Sequence, residues 1–481
     1  MATSSNRPSN RKGWGRGLKK LAVLGVTLAL LLLFAGKGQI VHAASITVTT
    51  TDDELNADGD CSLREAIQAA NMDAAVDTCL AGSGADTIIV PAGTYILSIA
   101  GAGEDANATG DLDITTDLTI TGAGAVMTII DGDDLDRVLT VHHAVQAQIS
   151  GVTIRNGTNA TIGGGIANGG DLTLTGVTVE DNNAGCCGGG IDNGGTLTLE
   201  QSTVSGNTAG THSGGIVNGG TLTLTNSTVS GNTAVTDRAG GILNFDGATA
   251  TLTNSTVSGN SAPNFGGGID NRATLRLVGS TVSGNSTAGY GAGVFNSGTI
   301  SITHSTIRKN TATVGGGGIH NREGGVVTVD RSTITGNSAR SGGGVDNSIG
   351  PTPGTVTITA SQVSDNTASL DGGGISNKTG TVTLDGSKVT RNTASQGGGI
   401  SNWDSLFLVN SVVTGNSATS GPVSGGGIYN SDSLFLTNSV VAGNSATSGL
   451  GSGGGIFNDG GVVTLTKSKV RGNRPDNCVG C

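Results

Sequence analysis

A unit of about 25 residues repeats twelve times between Gly163 and Asn473. Each copy consists of GGGIxN, a short link, the segment LTLTxSxVSGN and a small loop. A repeat of this period is typical of a solenoid, in which each turn packs mainly against its two neighbours. The repeat therefore constrains the fold far more than it constrains the function.

Apolar and polar residues alternate strictly within each copy, as in the segment TLTLT at 221–225. This alternation predicts β-strands. We expect Ile216, Leu222, Leu224 and Val229 to point to the solenoid axis and the threonines to point to water. With three short strands per turn and roughly 4.8 Å between turns, twelve turns would form a rod of about 60 Å. The predicted fold class is all-β, a right-handed parallel β-helix with a short N-terminal capping helix.

Two asparagines occupy fixed places in every copy. The first row includes Asn168, Asn193, Asn218 and Asn244, and the second includes Asn207, Asn232 and Asn260. Stacked asparagine side chains hydrogen-bond along in-register parallel assemblies, so these rows predict two structural ladders. Asparagine also adopts left-handed backbone angles at turns, which is a second reason for its place here.

Residues 1–43 are predicted to be a signal peptide that is cleaved after Ala43. A basic start precedes a short apolar run from Leu21 to Gly36, and Val41-His42-Ala43 provides a small-residue cleavage site. The alternative is an uncleaved membrane anchor, for which the run is short. We therefore expect a secreted or cell-surface protein with no membrane span in the mature chain.

The charge balance excludes one class of partner. The full chain has a net charge of −11, and removing the seven Lys and Arg of the predicted signal peptide leaves 18 basic residues against 36 acidic ones. An acidic surface disfavours nucleic-acid binding and docking on anionic lipid. We expect no nucleic-acid partner.

Six cysteines in an exported chain suggest disulfides. Cys61 and Cys79 bracket one compact segment and are the best candidate pair. Cys478 and Cys481 are expected to form a local disulfide that closes the tail, with a redox motif and a zinc half-site as the alternatives. The sequence assigns no partner to the adjacent Cys186 and Cys187.

The region before the repeats is expected to cover the open edge of the first turn. Ser62-Leu63-Arg64-Glu65 is a capping box, and Leu63, Ala66, Ile67 and Ala70 fall on one helical face. The predicted organisation is a cap at 44–110, irregular first turns at 111–162, the twelve-turn array at 163–473 and a Cys-containing tail at 474–481.

The segment ADGDCSLREAI at 57–67 resembles the signature of the CSLREA domain. That domain typically precedes right-handed parallel β-helix repeats in exported bacterial proteins, and the match covers about the first hundred mature residues. The GGGIxN and SGN repeats are similar to those of pectate-lyase-like β-helices and of chlamydial polymorphic membrane proteins. The resemblance implies an exported surface or secreted protein.

The residues on either side of the first asparagine are expected to face outwards, and they depart from Thr and Ser. Half of the ten aromatic residues after position 43 lie there: Phe245, Phe295, Trp403, Tyr429 and Phe457. Aromatic rings stack on sugar faces, so this row is a candidate glycan-binding strip. The alternative is that these positions simply tolerate any residue.

Charged residues on the same row are weak candidates for catalysis: Asp270, Arg272, His320, Arg322 and Asp346. His320 and Asp346 are expected within reach of each other across one turn, and an arginine is the candidate base of a uronate lyase. A hydrolase needs paired carboxylates at a set separation, whereas Asp270 and Asp346 are three turns apart. We expect these residues to form a solvated charged patch without catalysis.

No resident cofactor or metal is expected. Ca²⁺ is the one ion for which the sequence offers candidate oxygen ligands. Two acidic runs are candidate Ca²⁺ ligands, although neither has the spacing of a known Ca²⁺ loop. They are Asp52, Asp53, Glu54, Asn56, Asp58 and Asp60 in the first run, and Asp131, Asp133, Asp134 and Asp136 in the second.

The predicted function is that of a non-catalytic extracellular or cell-surface rod for adhesion or glycan contact, with a polysaccharide as the partner. One alternative is a polysaccharide lyase or glycoside hydrolase of the pectate-lyase-like fold. The short loops between repeats disfavour the deep groove that such an enzyme needs. A second alternative is a purely structural spacer.

Overall fold

A computed structural model describes residues 43–348, 350, 352–419, 424–447 and 451–481. The described residues form an all-β parallel solenoid of the right-handed type with one short helix, which confirms the predicted fold class. The predicted signal peptide lies outside the described residues, apart from Ala43. No helix among the described residues is both long and apolar enough to span a lipid bilayer.

The strands stack into four parallel sheets, named here A to D. Sheet A has sixteen strands: Ser45–Thr47, Asp86–Val90, Leu118–Gly122, Gln146–Ser150, Asp171–Thr175, Thr196–Glu200, Thr221–Thr225, Thr249–Thr253, Thr274–Val278, Thr299–Thr303, Val326–Asp330, Gly354–Thr359, Gly380–Asp385, Ser405–Val409, Ser433–Thr437 and Val462–Thr466. Sheet B has fifteen: Gly93–Ile96, Thr128–Asp131, Thr153–Arg155, Thr178–Glu180, Thr203–Ser205, Thr228–Ser230, Thr256–Ser258, Thr281–Ser283, Thr306–Arg308, Thr333–Thr335, Gln362–Ser364, Lys388–Thr390, Val412–Thr414, Val440–Ala442 and Lys469–Arg471.

Sheet C consists of twelve short strands: Thr158–Asn159, Asn183–Ala184, Thr208–Ala209, Thr233–Ala234, Ser261–Ala262, Ser286–Thr287, Thr311–Ala312, Ser338–Ser341, Thr367–Asp371, Thr393–Ala394, Ser417–Ala418 and Ser445–Ala446. Sheet D has fifteen strands: Leu112–Ile114, Leu139–Val141, Ile166–Asn168, Ile191–Asn193, Ile216–Asn218, Ile242–Asn244, Ile269–Asn271, Val294–Asn296, Ile319–Asn321, Val345–Asn347, Ile375–Asn377, Ile400–Asn402, Ile428–Asn430, Gly453–Asn458 and Asp476–Val479. A regular turn therefore has four strands, and the prediction of three was wrong because the two-residue strands of sheet C follow the second asparagine inside what the sequence presents as a loop.

Successive turns are in register, with each consensus residue beside its counterpart in the next turn. Leu197 pairs with Leu222 in sheet A, and Ile191 pairs with Ile216 in sheet D. The four predicted axial residues, Ile216, Leu222, Leu224 and Val229, are all fully buried. This confirms the predicted core, because stacked aliphatic side chains inside the solenoid are removed from water on every side.

Both predicted asparagine ladders are present. Each ladder joins twelve residues through side-chain hydrogen bonds, from Asn168 to Asn458 with Nδ2–Oδ1 distances of 2.7–2.9 Å and from Asn182 to Asn473 with distances of 2.9–3.0 Å. In the second ladder the Oδ1 atom also accepts the preceding turn's backbone N–H, as Asn285 does for Asn260 at 2.9 Å. The ladders thus satisfy buried polar groups at two corners of every turn.

The backbone explanation offered for these asparagines was wrong. Positive φ falls instead on the residue after the sheet A strand, such as Asn226 at 51°, and on the residue before the second asparagine, such as Gly231 at 66°. A third ladder was not anticipated: the serine of each xSxV segment accepts a backbone N–H from the preceding turn, as Ser227 Oγ does from Ser202 at 3.1 Å. Side-chain hydrogen bonding, rather than left-handed geometry, explains the repeated asparagines.

The N-terminal cap contains the helix α1, Leu63–Met72. Ser62 and Glu65 form the predicted capping box, and Leu63, Ala66, Ile67 and Ala70 are buried. Arg64 is fully buried as well, because it pairs with Asp53 at 2.6 Å and donates to the Gly110 and Asp111 carbonyls. The cap also contributes strands to sheets A and B, so helix and first turns are one packed unit.

The structure joins the cysteines into three disulfides. Cys61 bonds to Cys79 and Cys478 to Cys481, as predicted, and Cys186 bonds to Cys187. The tail strand Asp476–Val479 pairs with Gly453–Asn458 and forms the last strand of sheet D. The predicted tail therefore covers the sheet edge of the last GGGIxN segment.

Candidate functional site

From the strand Ile216–Asn218 onwards, the outward-facing residue of the IxN strand is buried, contrary to the prediction that it faces solvent, whereas Ala167 and Asp192 in the first two copies are half-buried. Phe295 is 6% exposed, and Asp270, His320, Asp346 and Tyr429 are 0–2% exposed. The glycine triplet of the same turn explains this burial: a Cβ on Gly316 would lie 2.6 Å from the Cβ of His320. The chain thus folds back across the outer side of sheet D.

These residues form the floor of a groove that runs along sheet D, which we name the outer groove. One wall is the row just before the glycines, in which Arg238, Phe265 and Tyr290 are bridged from turn to turn. The other wall is the row after the first asparagine, which includes Arg272, Arg322, Ser348, Lys378 and Trp403. The floor and the walls thus present aligned rows of variable residues.

A cleft of about 370 Å³ lies in this groove. Its lining combines charged, hydroxyl and aromatic side chains: Tyr290, Val314, His320, Arg322, Arg340, Ser341, Asp346, Ser348, Leu370 and Lys378. Three of the five weak catalytic candidates therefore share one cleft, namely His320, Arg322 and Asp346. The other two, Asp270 and Arg272, lie further along the groove.

His320 and Asp346 form a buried pair in the cleft, as expected for neighbouring turns. The Nδ1 atom of His320 lies 3.1 Å from the Oδ2 atom of Asp346. The imidazole also stacks against Phe295 at 5.4 Å between centroids and tilts against Tyr290 at 4.7 Å. The ring is fixed on several sides, and the predicted solvated patch is instead a packed polar floor.

Two polar atoms at this cleft have no hydrogen-bond partner among the described residues. They are Oδ1 of Asp346 and Nε of Arg322, and both atoms are buried. The nearest acid to Arg322 is Glu323, whose Oε1 lies 3.2 Å from Nε outside hydrogen-bonding geometry. One acceptor and one donor beside the cleft therefore have unused hydrogen-bonding capacity among the described residues.

A second polar group faces the same cleft from the next turn. Lys378 Nζ lies 3.3 Å from Ser341 Oγ and 4.0 Å from Asp371, and the Ser341 hydroxyl donates to Asp371 at 3.5 Å. Burial raises the pKa of Asp371, while Lys378 opposes the rise. The cleft thus combines carboxylates with the cations Arg322, Arg340 and Lys378.

Asp270 occupies a different part of the floor. Its Oδ2 lies 3.4 Å from Arg238 and 3.8 Å from Arg272, and its Oδ1 has no partner among the described residues. Burial raises its pKa to about 7 against the opposing charge of Arg238. Arg272 also lies over the ring of the half-buried Phe245, at 5.9 Å. Asp270 and Asp346 are three register steps apart, or about 14 Å, too far for a glycosidase pair.

The five predicted ligand-binding aromatics fall into separate groups rather than one strip. Phe295 packs with Phe265 and His320, whereas Trp403, Tyr429 and Phe457 form a second stack. Tyr429 is anchored by Asp459 at 2.5 Å, and burial raises its pKa. Of the five, Trp403 is the most accessible at 41% exposure and offers a ring face to a ligand.

The acidic runs differ in their ability to hold a cation. Carboxylate oxygens of Glu54, Asp58 and Asp60 lie within 4.8 Å of one another. In the second run, Asp131 instead pairs with Arg155 at 2.8 Å and accepts from Asn156. Only the first run therefore brings several carboxylates to one point among the described residues.

Sequence reasoning missed Tyr290, Arg340, Ser341, Asp371 and Lys378. Lys378 stands immediately after the ladder asparagine, a position that the sequence already marked. Ser341 and Asp371 stand immediately before a glycine triplet, and Tyr290 stands before the equivalent GAG segment at 291–293. Aligning the repeats on this segment shows a variable column there. The signal was present but was attributed to a corner loop.

Comparisons with known proteins add no relative. No family model, no curated protein and no solved structure matches the chain.

Proposed function

We propose that this protein is an exported, non-catalytic β-helix that contacts a polysaccharide through the outer groove, in an adhesive or matrix role. The observation that carries the proposal is the cleft itself, in which Asp346 and Arg322 each contribute a buried polar atom without a partner among the described residues. A buried polar atom without a partner costs roughly 1–3 kcal/mol. Saccharide hydroxyl groups both donate and accept, so they match the mixed donors and acceptors of the cleft lining.

The accessible ring of Trp403 extends this site along the groove. Arg322, Ser348, Lys378 and Trp403 occupy the same row in successive turns. Neighbouring turns are about 4.8 Å apart, so the cleft and the ring lie within the span of a short oligosaccharide. A chain lying along the groove would place one sugar in the cleft and another against the indole face.

Export rests on the predicted signal peptide and on the resemblance to the CSLREA signature. The three disulfides agree with an oxidising compartment. We expect the mature protein to begin at Ala44 and to be secreted or held at the cell surface. N-terminal sequencing of the protein recovered from the producing cells tests this, and an uncleaved, cell-retained chain contradicts it.

The test of glycan contact is the retention of the protein on immobilised neutral and uronate polysaccharides. We expect Trp403→Ala and the double variant R322A/K378A to lose at least tenfold in affinity on the polysaccharide that retains the wild type. Phe407→Ala is the matched aromatic control, because Phe407 stacks on Phe435 outside the groove. R331A/K388A is the matched cationic control, because both residues line a shallow depression elsewhere.

Equal retention of all four variants would show that the groove does not bind glycan. If the wild type is retained on no polysaccharide, the structural spacer becomes the better hypothesis. In that case the variable residues of the outer groove have no role in recognition.

One observation favours the alternative of a lyase or hydrolase. Asp371, whose pKa is raised by burial, contacts Ser341 and Lys378, which line the same cleft as the His320–Asp346 pair and the candidate base Arg322. Mass spectrometry of the polysaccharides after incubation, with and without Ca²⁺, separates the two functions. Intact chains support a binder, whereas shortened or unsaturated oligosaccharides that disappear with Asp371→Asn show an enzyme.

A further inference from the structure

A second cluster of chemically reactive side chains lies in earlier turns of the same row that forms one wall of the outer groove, in which His212 is bridged to Arg238. Cys186, Cys187 and His212 each offer a ligand atom, and these atoms lie within 4.8 Å of one another. Cys187 and His212 are bridged between adjacent turns, so the register of the solenoid fixes their separation. All three residues are half-buried and therefore accessible to a small solute.

The geometry of the cluster suits a metal with a preference for sulfur and nitrogen. The Sγ atom of Cys187 lies 3.6 Å from the Nδ1 atom of His212. Zinc binds thiolate at about 2.3 Å and imidazole at about 2.0–2.1 Å with tetrahedral angles, which sets these two ligand atoms about 3.6 Å apart. Little movement of the imidazole is therefore needed for it to share a cation with Cys187.

His212 is also held as metal-binding histidines usually are. Its other ring nitrogen, Nε2, lies 3.3 Å from a carboxylate oxygen of Asp237. Asp237 is fixed in turn by Arg238 at 2.8 Å and by Asn264 at 3.2 Å. A carboxylate on the distal nitrogen sets the tautomer that leaves Nδ1 free to bind a cation.

Charge also suits the cluster. Two thiolates would supply the negative charge that a divalent cation requires.

We propose that Cys186, Cys187 and His212, supported by Asp237, form a redox-gated site for a thiophilic divalent cation such as Zn²⁺ or Cd²⁺. In the structure the two sulfurs are joined as a disulfide, which cannot supply thiolates. Two equivalents of a monothiol reduce this disulfide and leave as their own disulfide. The cation then displaces two protons from the cysteines and binds both sulfurs and Nδ1, with a fourth position open to water.

The experiment uses the full chain, reduced with a monothiol under anaerobic conditions, desalted and titrated with Cd²⁺. The thiolate-to-metal charge-transfer absorption reports sulfur ligation directly. We expect a tight site in the reduced wild type and in C478S/C481S, which removes the other solvent-accessible pair. C186S/C187S should lose this site, and the wild type before reduction should lack the absorption.

His212→Asn and Asp237→Asn test the site without touching a cysteine. We expect His212→Asn to weaken binding by at least tenfold and Asp237→Asn to weaken it by about 10–100-fold. His304→Asn is the matched control, because His304 lies on the solenoid surface away from the cysteines. These variants keep the test decisive even if C186S/C187S does not fold.

Three results would overturn the proposal. One is a charge-transfer band that persists in C186S/C187S but vanishes in C478S/C481S. Another is equal affinity in His212→Asn and the wild type. The third is undiminished Cd²⁺ binding to the unreduced protein, which would place the cation on groups other than these sulfurs.

Discussion

The strand Ile319–Asn321 presents two neighbouring side chains to opposite faces of sheet D. The two faces differ in the residue types that occupy them from turn to turn. Ile319 points inwards and is fully buried, and its counterparts in the other turns are aliphatic. His320 points outwards and is almost as well buried, yet its counterparts range from leucine to aspartate. Burial alone therefore does not constrain residue identity.

The difference lies in what each side chain contacts. Side chains on the inner face contact only the aliphatic side chains of the solenoid core. A polar residue there would be buried without a hydrogen-bond partner. The outer floor is closed by the glycine corner and two walls of variable residues, and its polar residues find partners in the next turn. Buried carboxyl groups such as those of Asp270 and Asp346 are more costly than aliphatic residues would be.

The largest expected effect is on the inner face. Ile319→Ala removes buried aliphatic atoms and leaves a cavity, which should lower the free energy of unfolding by about 2–5 kcal/mol. Urea denaturation followed by circular dichroism measures it. Ile162→Ala is the control, because Ile162 is 41% exposed. An effect no larger than that of the control would show that the inner face is not the core.

The next effect concerns the charged floor and depends on pH. The pKa of Asp270 is about 7 in the folded protein because of burial, and near 4 in the unfolded chain. Between these values the folded state holds a proton that the unfolded state has released, so stability is complete below pH 4 and falls as pH rises to 7. The loss is up to about 4 kcal/mol across this interval.

Asp270→Asn removes this titration and should flatten the pH dependence relative to the wild type. Urea denaturation at pH 5 and pH 8 measures the difference. Asp113→Asn is a useful comparison, because burial also raises the pKa of Asp113, to about 6, at the first turns. If Asp270→Asn keeps the full pH dependence of the wild type, the outer floor does not hold a protonated carboxyl group.

A smaller effect is expected at the His320–Asp346 pair. His320→Leu leaves a buried carboxylate without its partner and should lower the free energy of unfolding by about 1–3 kcal/mol. The double variant H320L/D346L should recover that loss, because replacing both members of a buried pair by apolar residues is often neutral or stabilising. Recovery of stability together with loss of glycan retention would show that the pair serves binding rather than folding.

A double variant that stays as unstable as His320→Leu would contradict this interpretation. It would show that the stability of the outer floor, like that of the inner face, depends on the identity of its residues. Urea denaturation of the two variants and the wild type at one pH decides between these outcomes.

Most of the fold was predictable because the repeat encodes it directly. Alternation identifies the axial residues, and a fixed asparagine in every turn leaves stacking as its simplest explanation. The capping box at Ser62 and Glu65 is equally local. The burial of Arg64 was not predictable, because its partners Asp53 and the carbonyls of residues 110–111 come from distant parts of the chain.

The site was predictable only in part, for a physical reason. Alternation tells which face of a strand a residue occupies but not whether another segment covers that face. His320 and Asp346 were paired correctly because register alone sets their contact. Tyr290 and Asp371 were missed because the path of the glycine corner, which brings them beside the floor, depends on packing between turns.

The last effect concerns the corner that closes the outer floor. Gly316 has a φ of 64°, and this left-handed conformation alone should make Gly316→Ala cost about 1–2 kcal/mol of stability. A Cβ there would also lie 2.6 Å from the backbone of His320 and force the corner to shift. Gly219→Ala is the matched control, because its added Cβ comes no closer than 3.6 Å to a neighbour and its φ is not positive. If the corner is what buries the outer face, Gly316→Ala should also shift the NMR resonances of the His320 ring, whereas Gly219→Ala should not. Unchanged His320 resonances in a folded Gly316→Ala protein would mean that the walls of the outer groove, and not the glycine corner, exclude water from the outer face of sheet D.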